Sequence, residues 1–151
     1  MRTPASISRH PIHPMLVTLP IGLWLFAFVC DLIFVLGSGA TLWFTLSYYT
    51  MIGGLIGALI AAIPGTIDMM SLRGTPKKLA LTHGALNVAV VVLFAVNIGL
   101  RIGGSDVAGA PLALSVIAMT LLGASGWLGG HMVYVHHVAV DDGDAASGTT
   151  R

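Results

Sequence analysis

The sequence predicts an all-α integral membrane protein: a four-helix bundle, up-down-up-down. Three observations carry this. Only 9% of the 151 residues are charged against 56% apolar, with a mean hydropathy of +0.91, whereas a soluble domain uses about 25% charged residues to coat its surface. Four stretches each reach the roughly 20 apolar residues that a bilayer crossing needs. Lys and Arg are concentrated in alternate loops. This composition excludes a soluble enzyme, a disordered tail and a protein that binds nucleic acid by neutralising phosphate. The partner it names is the lipid bilayer.

The first span runs from Met15 to about Leu36. It is too long for the apolar core of a signal peptide and no small-x-small cleavage site follows, so it reads as a retained anchor. Pro20 lies inside it and predicts a kink, which membranes tolerate. The second span runs from Leu42 to about Ile63 and carries a small-residue stripe, Gly53-x-x-x-Gly57-x-x-x-Ala61-x-x-x-Gly65. The third runs from about Leu79 to Leu100. The fourth runs from Leu112 to about Val135, with Pro111 where a helix-opening proline belongs. Its pattern continues to about Val140, so its end is expected to project beyond the headgroups. Residues 1–140 thus form one transmembrane domain, and the polar tail 141–151 is expected to be disordered.

Loop charge sets the orientation. Arg2 and Arg9 precede span one, Arg73, Lys77 and Lys78 lie between spans two and three, and Arg151 is in the tail. The first loop has no Lys or Arg and the third has Arg101 alone. Six against one places both termini in the cytoplasm. With that topology His10, His13, Asp68, His83, His131, His136 and His137 all fall at the cytoplasmic end. His13 and Asp31 are 18 residues apart, as are His83 and Arg101. Eighteen residues are five helical turns, so each pair shares a helix face. Asp31 and Arg101 therefore lie at similar depth, and they are expected to pair, because an isolated carboxylate near lipid is costly. The matched spacing, offset by 70, hints at a duplicated pair of helices.

The histidines are the chemistry-bearing feature. Imidazole is the commonest side-chain ligand for metals and haem iron. Bis-histidine b-type haem would need two rings on different helices, such as His83 with His136 or His131. His13, Asp68, His83 and His136 together would suit a divalent metal, with Asn87 as a hydrogen-bond partner one turn below His83. Histidines at the interface without any ligand are the other reading. Asp68 has Arg73 as its expected partner, or else orients a histidine. Cys30 stands alone, which excludes a disulfide and Cys-based zinc or iron–sulfur sites. No Walker loop, dinucleotide fingerprint or H-E-x-x-H is present, so no enzyme class is assigned. The stripes Gly53/Gly57 and Gly126/Gly130 suit internal packing or a homodimer.

Several runs resemble a known family. His10-Pro-Ile-His13-Pro-Met-Leu-Val-Thr-Leu-Pro20-Ile-Gly22 with Asp31-Leu-Ile resembles its opening. Gly65-Thr-Ile-Asp68 and His83-Gly-Ala-Leu-Asn87 resemble its middle, and Gly126-Trp-Leu-Gly-Gly130 with Val133-Tyr134-Val-His136 resembles its last helix. The family is the bacterial membrane family domain-of-unknown-function 2231, and the likeness covers about residues 10–140. It implies a four-helix protein of the bacterial inner membrane with His13, Asp31, Asp68, His83 and His136 at motif positions. His131 and His137 depart from the pattern and are weaker candidates for a shared role. Relatives of this kind can be joined to Rieske-type iron–sulfur domains, which implies an electron-transfer partner. The expectation is a small redox subunit holding b-type haem or a metal. The alternatives are a scaffold without cofactor and a non-haem metal-handling protein.

Overall fold

The structure is a computed structural model, and it describes residues 3–8, 10–37, 39–104 and 106–140. The tail 141–151, expected to be disordered, lies outside the described residues. A short antiparallel ribbon comes first, β1 (Ser6–Ile7) with β2 (His10–Pro11). It leads into α1 (Ile12–Leu16) and α2 (Thr18–Leu36), followed by α3 (Thr41–Ser71), α4 (Gly74–Ile102) and α5 (Ala110–Tyr134). Counting α1 and α2 as one span, four helical segments among the described residues are long and apolar enough to cross a membrane.

Proline explains most departures from the expected ends. Pro20 has no N–H to give to the carbonyl of Leu16, and the first span breaks one residue further on, at Val17. Pro14 and Pro76 sit in first turns, where an N–H has no helical partner anyway, so α1 and α4 start earlier than expected. Pro64 lies inside α3, which continues to Ser71. Hydrophobic surroundings and neighbouring helices let a membrane helix run through a proline that would end a soluble one.

The fourth helix does not project to Val140. It ends at Tyr134, and His137 (φ 51) and Ala139 (φ 62) reverse the chain. The Val138 N–H then returns to Met132 O at 3.1 Å. Val138 packs with Leu72, Ala80 and Met132 in a small apolar cluster.

α2 packs chiefly on α3 and α4 on α5, and the two hairpins close through α3–α4 and α2–α5. The register is antiparallel and regular. His13 lies against Gly65, Trp24 against Gly54 and Asp31 against Ser47, eleven and then seven residues along each chain segment in opposite directions. In the second hairpin His83 lies against Gly129, Asn87 against Ser125 and Asn97 against Ser115, steps of four and ten on both helices. A Cβ on Gly54 would stand 2.5 Å from the Trp24 indole, so that glycine is what lets α3 approach the ring.

The middle of the bundle is apolar: Trp24, Ala27, Met51, Val90, Phe94, Ala118 and Leu122. Trp24 stacks on Phe94 with ring centres 4.5 Å apart, and its indole N–H donates to Met51 O at 3.2 Å. Outward faces carry exposed Leu25, Phe26, Ile56, Leu59, Val88, Val92 and Ile117. An apolar outside over this length is the surface of a protein solvated by lipid.

Candidate functional site

Two polar layers bracket the apolar middle. His83 and Arg101 mark them on α4, about 27 Å apart at 1.5 Å per residue, close to the thickness of a hydrocarbon core at about 30 Å. One layer therefore lies near each end of the membrane-crossing length.

At one end all four long helices meet around an ion pair. Arg101 Nη2 donates to Asp31 Oδ2 at 2.6 Å, and both side chains are 0% exposed. The Ser47 hydroxyl donates to Asp31 Oδ1 at 2.6 Å. Arg101 Nε donates to Asn97 Oδ1 at 2.8 Å. The Asn97 amide donates to Pro111 O at 2.7 Å and to Ser115 Oγ at 2.9 Å, and the Ser115 hydroxyl donates to Asp31 Oδ2 at 3.3 Å. The guanidinium also lies 5.9 Å from the centre of the Phe44 ring. Both charges are compensated on several sides, as a charge taken out of water requires.

At the other end two histidines face each other. The rings of His13 and His83 are 6.4 Å apart and near perpendicular, at 88°. His13 Nδ1 donates to Ala61 O at 2.8 Å, and the ring lies over Gly65, where a Cβ would stand 2.7 Å away. His83 Nδ1 donates to Ser125 O at 2.9 Å, with Ser125 Oγ also at 2.9 Å. Asn87 Nδ2 donates to Ser125 Oγ at 2.7 Å and to His83 O at 2.8 Å, and lies 3.1 Å from His83 Nε2. Both imidazoles are half-buried.

The other candidates stand apart from this pair. His136 packs on His131, with ring centres 5.3 Å apart. Asp68 is buried and accepts the Ala5 N–H at 2.8 Å. It forms no ion pair with Arg73 among the described residues. Among the described residues no three or more His, Cys, Asp or Glu side chains are placed to hold one metal ion. Gly53 and Gly57 face α2, with a Cβ meeting Leu23 at 3.2 Å and Leu19 and Pro20 at 3.3 Å, whereas Gly126 and Gly130 have open space before them. Sequence reasoning passed over Ser47, Asn97, Ser115 and Ser125. Their signal was available: each is a small polar residue inside an apolar span, and the two asparagines on α4 repeat the ten-residue spacing of the two serines on α5.

The profile of the family described as predicted membrane protein (DUF2231) matches residues 9–142. The chain belongs to this family. The match takes in all four membrane-crossing segments and both polar layers, so this DUF2231 protein is a multi-pass membrane protein throughout the region described. No curated protein and no solved structure gives a significant match to it.

Proposed function

We propose that this chain is a small redox subunit of the bacterial inner membrane. It binds a transition-metal centre, b-type haem iron or a bare divalent ion, between His13 and His83 and serves an electron-transfer partner protein. One observation carries the reading: each ring gives its Nδ1–H to a main-chain carbonyl, Ala61 O or Ser125 O. A carbonyl can only accept, so the proton is assigned to Nδ1 and the Nε2 lone pair is left as the ligand atom. Proteins orient metal-binding imidazoles by this kind of bond. At His83 the Asn87 amide stands 3.1 Å from Nε2, so a metal there would have to displace this weak contact. The Asn87 Nδ2 carries two hydrogens, and Ser125 Oγ and His83 O are both nearer than His83 Nε2. Two imidazole nitrogens at about 2.0–2.1 Å from one metal place their ring centres about 5–6.5 Å apart, which admits the 6.4 Å separation here. This reading takes His13 and His83 as the ligands, without Asp68 and His136.

Bound haem iron, or a redox-active ion such as iron or copper, would supply one-electron chemistry, while the chain would hold and orient it at the edge of an apolar bundle. Loop charge supports a cytoplasmic position for this end. Arg101 is sequestered by Asp31, and Arg73, Lys77 and Lys78, where α3 gives way to α4, lie at the histidine end. The test is a dithionite-reduced minus oxidised absorption spectrum of detergent-purified protein, with elemental analysis of the same sample. Sharp α and Soret bands, or stoichiometric iron or copper without them, are expected; stoichiometric zinc alone would overturn the redox role. A flat spectrum with no metal, after growth with adequate haem and metal, would overturn the reading.

That last outcome favours the second reading, a scaffold without cofactor. Open space before Gly126 and Gly130, with Trp127 81% exposed between them, would then serve as a seam against another helix.

A further inference from the structure

We infer that the bundle is one helical hairpin used twice about a pseudo-two-fold axis, and that a single metal centre sits on that axis, held by one Nε2 from each half. The inference rests on the metal-binding reading above and fixes its stoichiometry and symmetry.

Residues on a two-fold axis meet their own counterparts, and three do so here. His13 meets His83, Trp24 stacks on Phe94, and Asp31 bonds to Arg101. Each contact joins positions seventy apart in the sequence. The surroundings repeat as well. His13 donates to Ala61 O and lies over Gly65; His83 donates to Ser125 O and lies over Gly129. Carbonyl and glycine both shift by sixty-four between the halves. A shared shift of helix, acceptor and glycine cradle is what repetition of a hairpin produces; unrelated helices have no reason to preserve it.

The axis also explains which residues differ between the halves. Two carboxylates or two guanidiniums facing each other would repel, so the outer pair is Asp with Arg. Two imidazoles can face each other and share one ion, and that pair alone keeps the same residue in both halves. The counterpart of Asn87 is Val17, so the halves differ beside the rings while matching at the nitrogen-to-carbonyl bonds.

The experiment uses the full chain in detergent, titrated separately with Zn2+ and with haemin, in the wild type and in His13→Asn, His83→Asn and His136→Asn. Asparagine retains a donor where Nδ1 stood and deletes Nε2, so the main-chain bonds survive, and circular dichroism checks the fold. Wild type should take one equivalent of one probe, and the probe that binds separates a bare ion from haem. His13→Asn and His83→Asn should each weaken binding by a similar factor, at least the roughly tenfold that loss of a mere orienting partner costs. His136→Asn should bind as wild type. Loss in only one of the two axial variants, two equivalents per chain, or loss in His136→Asn would overturn the axial site while leaving metal binding in place. Failure of the wild type to bind either probe would overturn the metal reading and the axial site with it.

Discussion

Asp31 Oδ2 and Arg101 Nη2 stand 2.6 Å apart with no exposed side-chain surface on either partner. A buried ion pair adds little net stability over an apolar pair, but removing one member leaves an uncompensated charge. Inside the bundle that charge would be left without its partner.

Asp31→Ala and Arg101→Ala should therefore each destabilise the protein by about 3–5 kcal/mol, with the double variant losing clearly less than the sum. Equilibrium unfolding in mixed detergent micelles reads this cycle. Additive losses would mean that the pair contributes nothing as a pair.

The glycines make a sharper prediction by position. Gly54→Ala drives a methyl into the Trp24 indole at 2.5 Å and should cost about 1–3 kcal/mol as overpacking. Gly22→Ala meets nothing within 4 Å and should be neutral or gain up to about 1 kcal/mol from reduced chain entropy. Equal effects in the same unfolding assay would contradict the packing described.

Gly65→Ala displaces the His13 ring, since its Cβ would stand 2.7 Å away, whereas Gly129→Ala meets His83 at a milder 3.3 Å. If the ring pair holds a metal centre, retention should fall more in Gly65→Ala than in Gly129→Ala, with the fold intact in both. Metal analysis after a single purification gives the ranking, and the reverse order would argue against His13 as a ligand.

Cys30 is 0% exposed on α2, beside Asp31. A maleimide should label it only after unfolding, and labelling at native detergent concentrations should rise in Asp31→Ala. Fast labelling of the folded wild type would show that this end of the bundle opens readily.

Span number and fold class were legible because lipid solvation imposes a long apolar run on every crossing helix. The ends were less legible because proline acts differently by position. Pro20 breaks its helix, Pro64 does not, and sequence alone does not say which carbonyls find other partners. The equal spacings of His13 to Asp31 and of His83 to Arg101 set depth, and depth is what helical rise encodes. Rotation of one helix against another is not encoded that way. Hence His83 faces His13 and not His136, and the serines that complete both layers passed unnoticed among apolar neighbours.

The position of Asp31 on α2 and of Arg101 on α4 has a consequence for biogenesis. Helices leave the ribosome in order, so α2 enters the bilayer with a carboxylate whose cation has not yet been synthesised. Until α4 arrives, that helix is poorly suited to lipid and must lean on water, headgroups or insertion machinery. A chain truncated before α4 keeps this exposed acid permanently, which marks it as incomplete to any quality-control protease that recognises charge in the membrane.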